Sequence, residues 1–424
     1  MRPTRIRFRM LVLIFVCVVI NYMDRTNISV AASAVSSSLK LTPVQLGYLF
    51  SAFGWTYAAL QIPGGILVDR FSARVLYAFC LISWSIMTLF QGLVKGFATL
   101  FALRLSIGVF EAPSYPINNR VVTSWFPENE RASAIAMYTC GQFLGLALLT
   151  PLLVLIQDKL GWRGLFIVTG IAGILWGFIW YLFYRNPSDH PKVNEAELQH
   201  IEKGGGIINR KEKQAKPAQK FEWENLKKVL SHRKLWGIYI GQFAVNSTLW
   251  FFLTWFPTYL QKYRGMDFLK SGYLASVPFL AAFVGLITSG FLSDYMLKKG
   301  VSVNIARKAP VVFGLLLASS IIGANYVDSH AWIIFFMALA FFGNGFATIT
   351  WVFVSTLAPK NLIGLTGGVF NFIGNLASVV IPIIIGYLAK DGNFTPALVF
   401  ISAVTVMGAC SYLFVVGKIE RVEE

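Results

Sequence analysis

The sequence predicts an all-α integral membrane protein with 12 transmembrane helices in two pseudo-symmetric six-helix bundles. Of its 424 residues, 56% are hydrophobic and only 13% are charged, whereas ordinary globular chains carry about 25% charged residues. Apolar runs of roughly 20 residues, the length that crosses a bilayer, recur a dozen times. A charged segment in the middle of the chain divides these runs into two sets of six.

The apolar runs define the individual helices. The first run follows a basic N-terminal segment and continues through residues 21–25 without a small-residue cleavage site, so it indicates a retained span and not a signal peptide. The predicted spans are residues 10–33, 45–66, 75–94, 97–118, 132–157, 164–184, 235–261, 271–296, 309–327, 331–357, 363–389 and 394–416.

The segment between the sixth and seventh spans differs in composition from the rest. Residues 185–234 hold 12 basic and seven acidic residues. They predict a cytoplasmic loop with short amphipathic helices around 194–202 and 223–230 and a solvated stretch at 209–220. We therefore expect three parts, which are an N-terminal bundle (1–184), the central loop (185–234) and a C-terminal bundle (235–424).

The basic excess of the chain indicates its orientation. A net charge of +17 would suggest nucleic acid in a soluble protein. Here 27 Lys and Arg fall in the termini and the even-numbered loops, and eight fall in the other loops. Cytoplasmic loops are the ones enriched in Lys and Arg. The distribution predicts that both termini are cytoplasmic and that the chain contacts lipid and not nucleic acid.

A short loop motif recurs at matched positions in the two halves. A glycine is followed four residues later by an aspartate and then by basic residues, after the second span and again after the eighth. The glycine allows a close helix approach, and the aspartate can cap or pair with a neighbouring helix end. Two copies 225 residues apart indicate an internal repeat, as in transporters built from parallel halves, and they resemble the loop signature of the major facilitator superfamily. The motif residues are Gly65, Asp69, Arg70 and Arg74 in the first half and Gly290 and Asp294 in the second.

Four charged residues fall at membrane depth, and all of them belong to the first and fourth spans. They are Asp24, Arg25, Arg104 and Glu111. Such a charge costs about 2.5–3.5 kcal/mol on insertion scales and normally faces a cavity or a partner. The alternative to a functional site is a set of static ion pairs that only fix helix packing, although buried ion pairs are poor stabilisers. Because Arg104 and Glu111 are seven residues apart, they share one helix face, about 10.5 Å from each other.

These charges suit the binding of an anion together with protons. The fork of Arg25 can bind a carboxylate bidentately, and Tyr22, three residues earlier, shares its helix face. Asp24 is turned by ~100° from Arg25 and can address a neighbouring helix. Carboxyl groups can carry protons because burial disfavours their charged form. An anion that competes for an arginine would make the carboxylate beside it bind its proton more tightly, which couples the two.

Neutral polar residues within the spans form a second layer. Each one alone is as often a contact between helices as a ligand contact. Together they indicate recognition of hydroxyl groups, as in a polyhydroxylated monoacid such as an aldonate. They are Tyr57, Gln61, Asn118, Asn119, Gln142, Asn246, Trp250, Thr348, Trp351, Asn371 and Asn375.

The segment 21–27 (Asn-Tyr-Met-Asp-Arg-Thr-Asn) resembles the Tyr-x-Asp-Arg signature of the anion:cation symporter family within that superfamily. Together with the following segments, the similarity covers nearly the whole chain. Three further segments are most similar to bacterial D-galactonate (hexonate):proton symporters, with glucarate/galactarate carriers as near neighbours. The family matches are 50–53, 61–65, 108–113, 124–131, 255–257 and 340–345, and the three further segments are 118–120, 141–143 and 364–372.

This resemblance implies a proton-coupled importer of a sugar acid, most of all D-galactonate, in the bacterial cytoplasmic (inner) membrane. It implies that Arg25 binds the carboxylate, that Asp24 and Glu111 bind the protons and that Arg104 is their counter-charge. We expect a monomer that needs no cofactor besides protons. Thr348 stands where the galactonate carriers are expected to have serine, which leaves the sugar acid open. The implied hydroxyl contacts are Tyr22, Tyr57, Gln142, Thr348, Trp351 and Asn371.

Other functions remain as alternatives at this point. A hexarate:proton symporter would use the same scaffold. A uniporter or anion exchanger would need positive clamps but no carboxyl proton carriers, and a sensor that has lost transport would not need a charged pore. No nucleophile–base set, phosphate loop or metal cluster occurs in the sequence, and none of the four histidines lies inside a span. We therefore predict a protein that is not an enzyme and holds no metal.

Overall fold

The computed structural model describes residues 3–208 and 223–422, in which helices occur and strands do not. The predicted solvated stretch 209–220 lies outside these residues. We number the helices α1 to α14 in chain order, with α5 and α6 within the helical run Glu128–Phe183. The others are α1 Ile6–Leu39, α2 Pro43–Ala59 and Gln61–Arg70, α3 Ala73–Gln91, α4 Phe97–Trp125, α7 Glu195–Lys203, α8 Trp223–Ser231, α9 Arg233–Thr254, α10 Phe268–Lys298, α11 Val303–Tyr326, α12 His330–Leu357, α13 Ile363–Leu388 and α14 Thr395–Val415.

Nine helical runs in the described part of the chain are long and apolar enough to cross a membrane. They contain ten of the predicted spans, because the run Glu128–Phe183 is 56 residues long. At 1.5 Å per residue this is more than twice the ~30 Å thickness of the hydrocarbon core. Gly161 has a φ of +69°, which favours glycine, and it separates α5 (128–160) from α6 (162–183).

The remaining two predicted spans are helices with an interruption. The two segments of α2 meet at Leu60, where Pro63 follows closely and cannot donate the backbone hydrogen bond that a continuous helix needs. The seventh span, α9, continues beyond Thr254 through Phe256–Thr258, which contains Pro257, into a π-helical turn, Tyr259–Tyr263. All the predicted spans are therefore helical in the structure, and the predicted fold class is confirmed. The short helices α7 and α8 also lie where the sequence predicts them.

The chain forms two compact units. The first unit consists of Met1–Asn27, Trp55–Leu146 and Lys159–Lys220. The second consists of Ile28–Gly54, Ala147–Asp158 and Phe221–Glu424. The C-terminal part of α1, most of the first segment of α2 and part of α5 thus belong to the second unit, together with the helices that follow the central loop.

Small residues bring the helices of the first unit close together. Gly141 and Gly145 of α5 face Phe15 and Val19 of α1, and a Cβ atom added at either glycine would lie 3.2–3.3 Å from those side chains. At Gly173 of α6, an added Cβ would lie only 2.1 Å from the hydroxyl oxygen of Ser85 on α3. Small residues at such positions let membrane helices approach without steric conflict. This packing fixes α1 between its neighbours and thereby sets the position of residues 21–27.

In the second unit, residues 28–54 pack against α9 and α13. The Ser29 hydroxyl donates to the Thr254 carbonyl at 2.7 Å. A Cβ atom added at Gly54 would lie 2.2 Å from the Ser378 hydroxyl oxygen. The C-terminal end of α1 and the N-terminal end of α2 are therefore in close contact with helices of the second half.

The repeated loop motif shows one expected feature and lacks another. The carboxylate of Asp294 accepts a hydrogen bond from Arg307 at 3.2 Å, which is the expected pairing with a neighbouring helix. A Cβ atom added at Gly65 or Gly290 would meet nothing within 4 Å, so neither glycine lies at a close contact between helices in this structure. The side chain of Asp69 lies outside the part that the structure describes.

Arginines tie the end of α2 and the start of α3 to other helices of the first unit. Arg74 donates to the Tyr181 carbonyl at 2.7 Å, and its guanidinium lies 4.3 Å from the centre of the Tyr181 ring. Arg120 of α4 donates to the carbonyls of Val68 and Phe71, and these carbonyls belong to the end of α2. Arg70 is exposed at the same end.

The central loop is anchored to the first unit through α7. Glu197 is fully buried, and its carboxylate accepts hydrogen bonds from the Thr4 hydroxyl, from the backbone N–H groups of Ile6 and Arg7 and from the Arg7 guanidinium. It therefore caps the first turn of α1. Burial alone would raise the pKa of this carboxyl, but these donors outweigh burial and hold the pKa below its ordinary value of 4.5.

We expect Glu197→Gln to lower the midpoint of thermal unfolding by several degrees at pH 7, because hydrogen bonds to a charged acceptor contribute about 1.5–3 kcal/mol. The folded-state pKa is depressed, so this stabilisation is present above the unfolded-state pKa and is lost as the pH falls through the folded-state value. The difference in unfolding midpoint between the two proteins should narrow below about pH 4.5. An equal difference at pH 7 and at pH 4 would contradict this assignment.

Candidate substrate and proton site

A buried ion pair joins α1 to α4 in the first unit. Arg25 Nε lies 3.0 Å from Glu111 Oε2. Glu111 is completely buried, and Arg25 is only 5% exposed. In so little solvent the two charges interact strongly, and removal of one partner would leave the other uncompensated. The pair can open without this penalty only if another charge replaces one partner or if Glu111 takes up a proton.

Aromatic rings also contact the Arg25 guanidinium. Its central carbon lies 4.8 Å from the centre of the Tyr22 ring and 4.7 Å from that of Tyr57. Both tyrosines are buried, and ring faces attract a guanidinium within about 6 Å. The two rings position the guanidinium of Arg25. Because they are neutral, they do not determine which carboxylate pairs with it.

Asp24 points away from Arg25 and toward α3, as expected from its position one residue earlier in the helix. It is completely buried. The Trp84 indole N–H donates to Asp24 Oδ2 at 3.0 Å. The Asn27 amide donates to Asp24 Oδ1 at 3.4 Å and is also 3.3 Å from the Thr169 hydroxyl of α6.

Arg104 lies beside the same helix turn, and its Nη1 donates to the main-chain carbonyl of Asp24 at 3.2 Å. It is 1% exposed. Arg104 and Glu111 both approach α1, in agreement with their shared helix face. The structure pairs the Glu111 carboxylate directly with Arg25, and Arg104 donates to the backbone of the same helix turn.

The first unit thus brings together most of the residues predicted for this half of the chain. The interruption of α4 at Pro113, which forms the turn before the segment Ser114–Trp125, follows directly on Glu111. Tyr138 of α5 donates to the Asn119 side chain at 3.0 Å. Gln142 is half-buried on α5, next to the contact of Gly141 with α1. A turn at Pro113 therefore interrupts α4 close to Glu111.

The predicted contacts of the second half lie on α12 and α13 in the second unit. The Thr348 hydroxyl donates to the Gly345 carbonyl at 2.6 Å. Trp351 is 51% exposed, and its ring packs edge-on against Phe370. The Asn371 side-chain oxygen accepts a hydrogen bond from Asn375 at 3.0 Å.

Two pairs of buried polar residues were not predicted as site residues. In the second unit, the Thr350 hydroxyl donates to the Gln242 side chain at 2.7 Å. In the first unit, Trp84 and Asn27 hold Asp24. A signal for the latter exists in the sequence, because Trp84, Thr88 and Gln91 recur with helical spacing, and all three are fully buried on α3.

This helical membrane architecture, with a charged centre enclosed in an apolar bundle, is that of a membrane transporter. Comparison with known proteins gives the family. The profile of the Major Facilitator Superfamily matches residues 14–382. The chain belongs to this superfamily and is a multi-pass membrane protein and not an enzyme.

Curated relatives align over almost the full chain. The D-galactonate transporter of Escherichia coli O6:H1 is 51% identical over 99% of this chain and 98% of its own length. A Bacillus subtilis protein described as a "Probable galactarate/D-glucarate transporter" is 44% identical over 99% of this chain and 94% of its own length. The family resemblance seen in the sequence motifs is therefore confirmed.

Solved structures show the same fold. A bacterial homologue of the human lysosomal transporter Spinster, in an inward-facing and occupied conformation, superposes with a TM-score of 0.74 over 96% of both chains at 20% identity. A point mutant of the nucleoside transporter NupG gives a TM-score of 0.72 over 95% of this chain and 98% of its own at 12% identity. At such identities the likeness concerns the fold alone.

Proposed function

We propose that this protein is a symporter that imports a sugar acid together with protons, with D-galactonate as its substrate. The observation that carries the proposal is the buried ion pair between Arg25 and Glu111, next to a second buried carboxyl, Asp24. One cation suits one substrate carboxylate. Two carboxyl groups in the same unit suit the coupling ion, and no cofactor is needed besides the proton.

The ion pair gives a physical route to coupling. When Glu111 takes up a proton, its attraction for Arg25 is lost, and the guanidinium can bind a substrate carboxylate with its fork. When the substrate leaves, Glu111 gives up its proton and pairs with Arg25 again. Because a buried arginine without a counter-charge is strongly unfavourable, the proton and the substrate enter together. Arg104 limits the charge that accumulates around the two carboxyl groups.

An aldonate fits the polar residues better than an aldarate does. The predicted contacts of the second half, Thr348, Trp351 and Asn371, are all neutral, and so are the buried Gln242 and Thr350. Neutral donors and acceptors suit hydroxyl groups, whereas a second carboxylate would need a second cation. The 51% identity with the D-galactonate transporter points to the same substrate. The galactarate/glucarate relatives at 44% identity make these diacids the second candidate.

A binding screen tests the substrate. Purified protein is heated with D-galactonate, D-gluconate, galactarate, D-glucarate or an uronate, and the unfolding midpoint is compared. A ligand at 100 times its Kd stabilises the folded state by about 2.7 kcal/mol, so we expect the largest shift for D-galactonate. A larger shift with galactarate or glucarate would support the second candidate. No shift with any of these acids would overturn the assignment of a sugar acid.

We further propose that the protein lies in the bacterial cytoplasmic membrane as a monomer surrounded by lipid, with both termini in the cytoplasm. The uneven distribution of Lys and Arg supports this orientation. On this orientation, the contacts of residues 28–54 with α9 and α13 lie at the external side.

A further inference from the structure

We propose that Trp84 is a positioning residue for the proton site, where its indole N–H holds the Asp24 carboxylate in the orientation from which it releases its proton. This inference rests on the proposed proton coupling and adds a residue to it. Trp84 is not among the predicted substrate contacts, and its side chain is completely buried on α3. Its one polar atom lies 3.0 Å from Asp24 Oδ2.

The chemistry of the two donors selects the ionised form of Asp24. An indole N–H can donate but cannot accept a hydrogen bond. The second neighbour, Asn27, also presents its NH₂ group to Asp24, at 3.4 Å from Oδ1. Each carboxylate oxygen therefore faces a donor, and hydrogen bonds to the charged form favour that form. Protonation of Oδ2 weakens the bond from Trp84, so the indole promotes the return of Asp24 to its charged state.

Packing fixes the indole in this position. Around Trp84, α3 is held against α6 by the close approach at Gly173 and by a similar approach at Gly170, where an added Cβ would lie 2.7 Å from Leu89. The ring of Tyr77 lies 6.3 Å from that of Trp84. Asn27 is held from the other side, because its amide also contacts the Thr169 hydroxyl of α6. Asp24 is thus held by α3 directly and by α6 through Asn27.

The charged groups around Asp24 are few and can be kept constant. They are Glu111 and Arg104 on α4 and Arg25, the next residue of α1, whereas α3 contributes the neutral Trp84 and Thr88. Replacement of Trp84 by phenylalanine keeps an aromatic ring and changes no charge. It removes the N–H donor and reduces the volume of the ring, so a control tryptophan that loses the same volume separates the two effects.

The test compares the pH profile of uptake for Trp84→Phe with that of the wild type in proteoliposomes. Because the ionised form of Asp24 loses a donor, we expect the alkaline limb of the profile to move by about 1 pH unit to higher pH. The substrate concentration for half-maximal counterflow at acidic pH should change by less than about two-fold. Trp180→Phe is the matched control, since the Trp180 N–H donates to the Arg74 carbonyl and its side chain is equally buried.

An unchanged alkaline limb in Trp84→Phe, or an equal shift in Trp180→Phe, would overturn the role of Trp84. If Trp84→Phe does not fold, Thr169→Val tests the same proton site, because it removes the acceptor that holds Asn27 and should move the limb by a smaller amount in the same direction. An unchanged limb in this variant would count against the proposal. The wild-type protein distinguishes failure of the proposed function from failure of the Trp84 role. Substrate uptake by the wild type without proton movement would reject proton-coupled transport itself.

Discussion

Glu111→Gln should abolish accumulation of the substrate against its gradient while substrate exchange continues. The glutamine keeps the size of the side chain, but it can neither carry a negative charge nor take up a proton. Arg25 then loses the partner 3.0 Å away and is permanently available to the substrate carboxylate. We expect counterflow with a half-saturating concentration equal to that of the wild type or lower.

The magnitude follows from the membrane potential. One elementary charge that crosses 100 mV gains or loses about 2.3 kcal/mol. A substrate anion that travels without protons is therefore excluded roughly 50-fold by an inside-negative potential of this size. Uptake of labelled substrate in the presence of an imposed proton gradient measures the effect. Glu130→Gln is the matched control, because Glu130 pairs with Arg7 at 2.9 Å at the start of α1. Full accumulation by Glu111→Gln would remove Glu111 from the coupling mechanism.

Arg25→Lys should weaken substrate binding by about ten- to 100-fold. An ammonium is a point charge and cannot bind a carboxylate through two parallel hydrogen bonds. It also loses the planar contact with the Tyr22 and Tyr57 rings, whose centres lie within 4.8 Å of the guanidinium carbon. Hydrogen bonds between charged groups contribute about 1.5–3 kcal/mol, and a factor of ten corresponds to about 1.4 kcal/mol.

Calorimetric titration of the purified variant with D-galactonate measures this loss. Arg163→Lys is the matched control, since Arg163 also lies over an aromatic ring, at 4.1 Å from the centre of Trp162, and belongs to the first unit. We expect wild-type affinity for the control. An affinity of Arg25→Lys within about two-fold of the wild type would exclude Arg25 from binding the carboxylate.

The sequence was most informative where physical rules act on single helices. Membrane length and apolarity locate the spans, and the seven-residue spacing places Arg104 and Glu111 on one face. The direction of Asp24 also follows from its position in the helix. All of these depend on local periodicity, which tertiary contacts do not change.

The partners of the charges could not be deduced in this way. Helix spacing gives the face of a residue but not the helix that lies opposite. The direct contact of Glu111 with Arg25 and the backbone contact of Arg104 depend on the small-residue packing of α5 and α6 against their neighbours. The role of Trp84 could not be predicted, because a tryptophan within an apolar run is ordinarily a hydrophobic core residue. The Glu197 carboxylate likewise acquires its role only when the central loop meets the start of α1.

The most direct test of the account is to measure substrate and proton movement together. Protein in liposomes with a clamped membrane potential and equal pH on both sides receives D-galactonate on the outside, and an enclosed dye reports the internal pH. We predict that the interior becomes acidic as the substrate enters and that Glu111→Gln shows entry without acidification. Entry of D-galactonate into wild-type liposomes with no change of internal pH would contradict proton coupling.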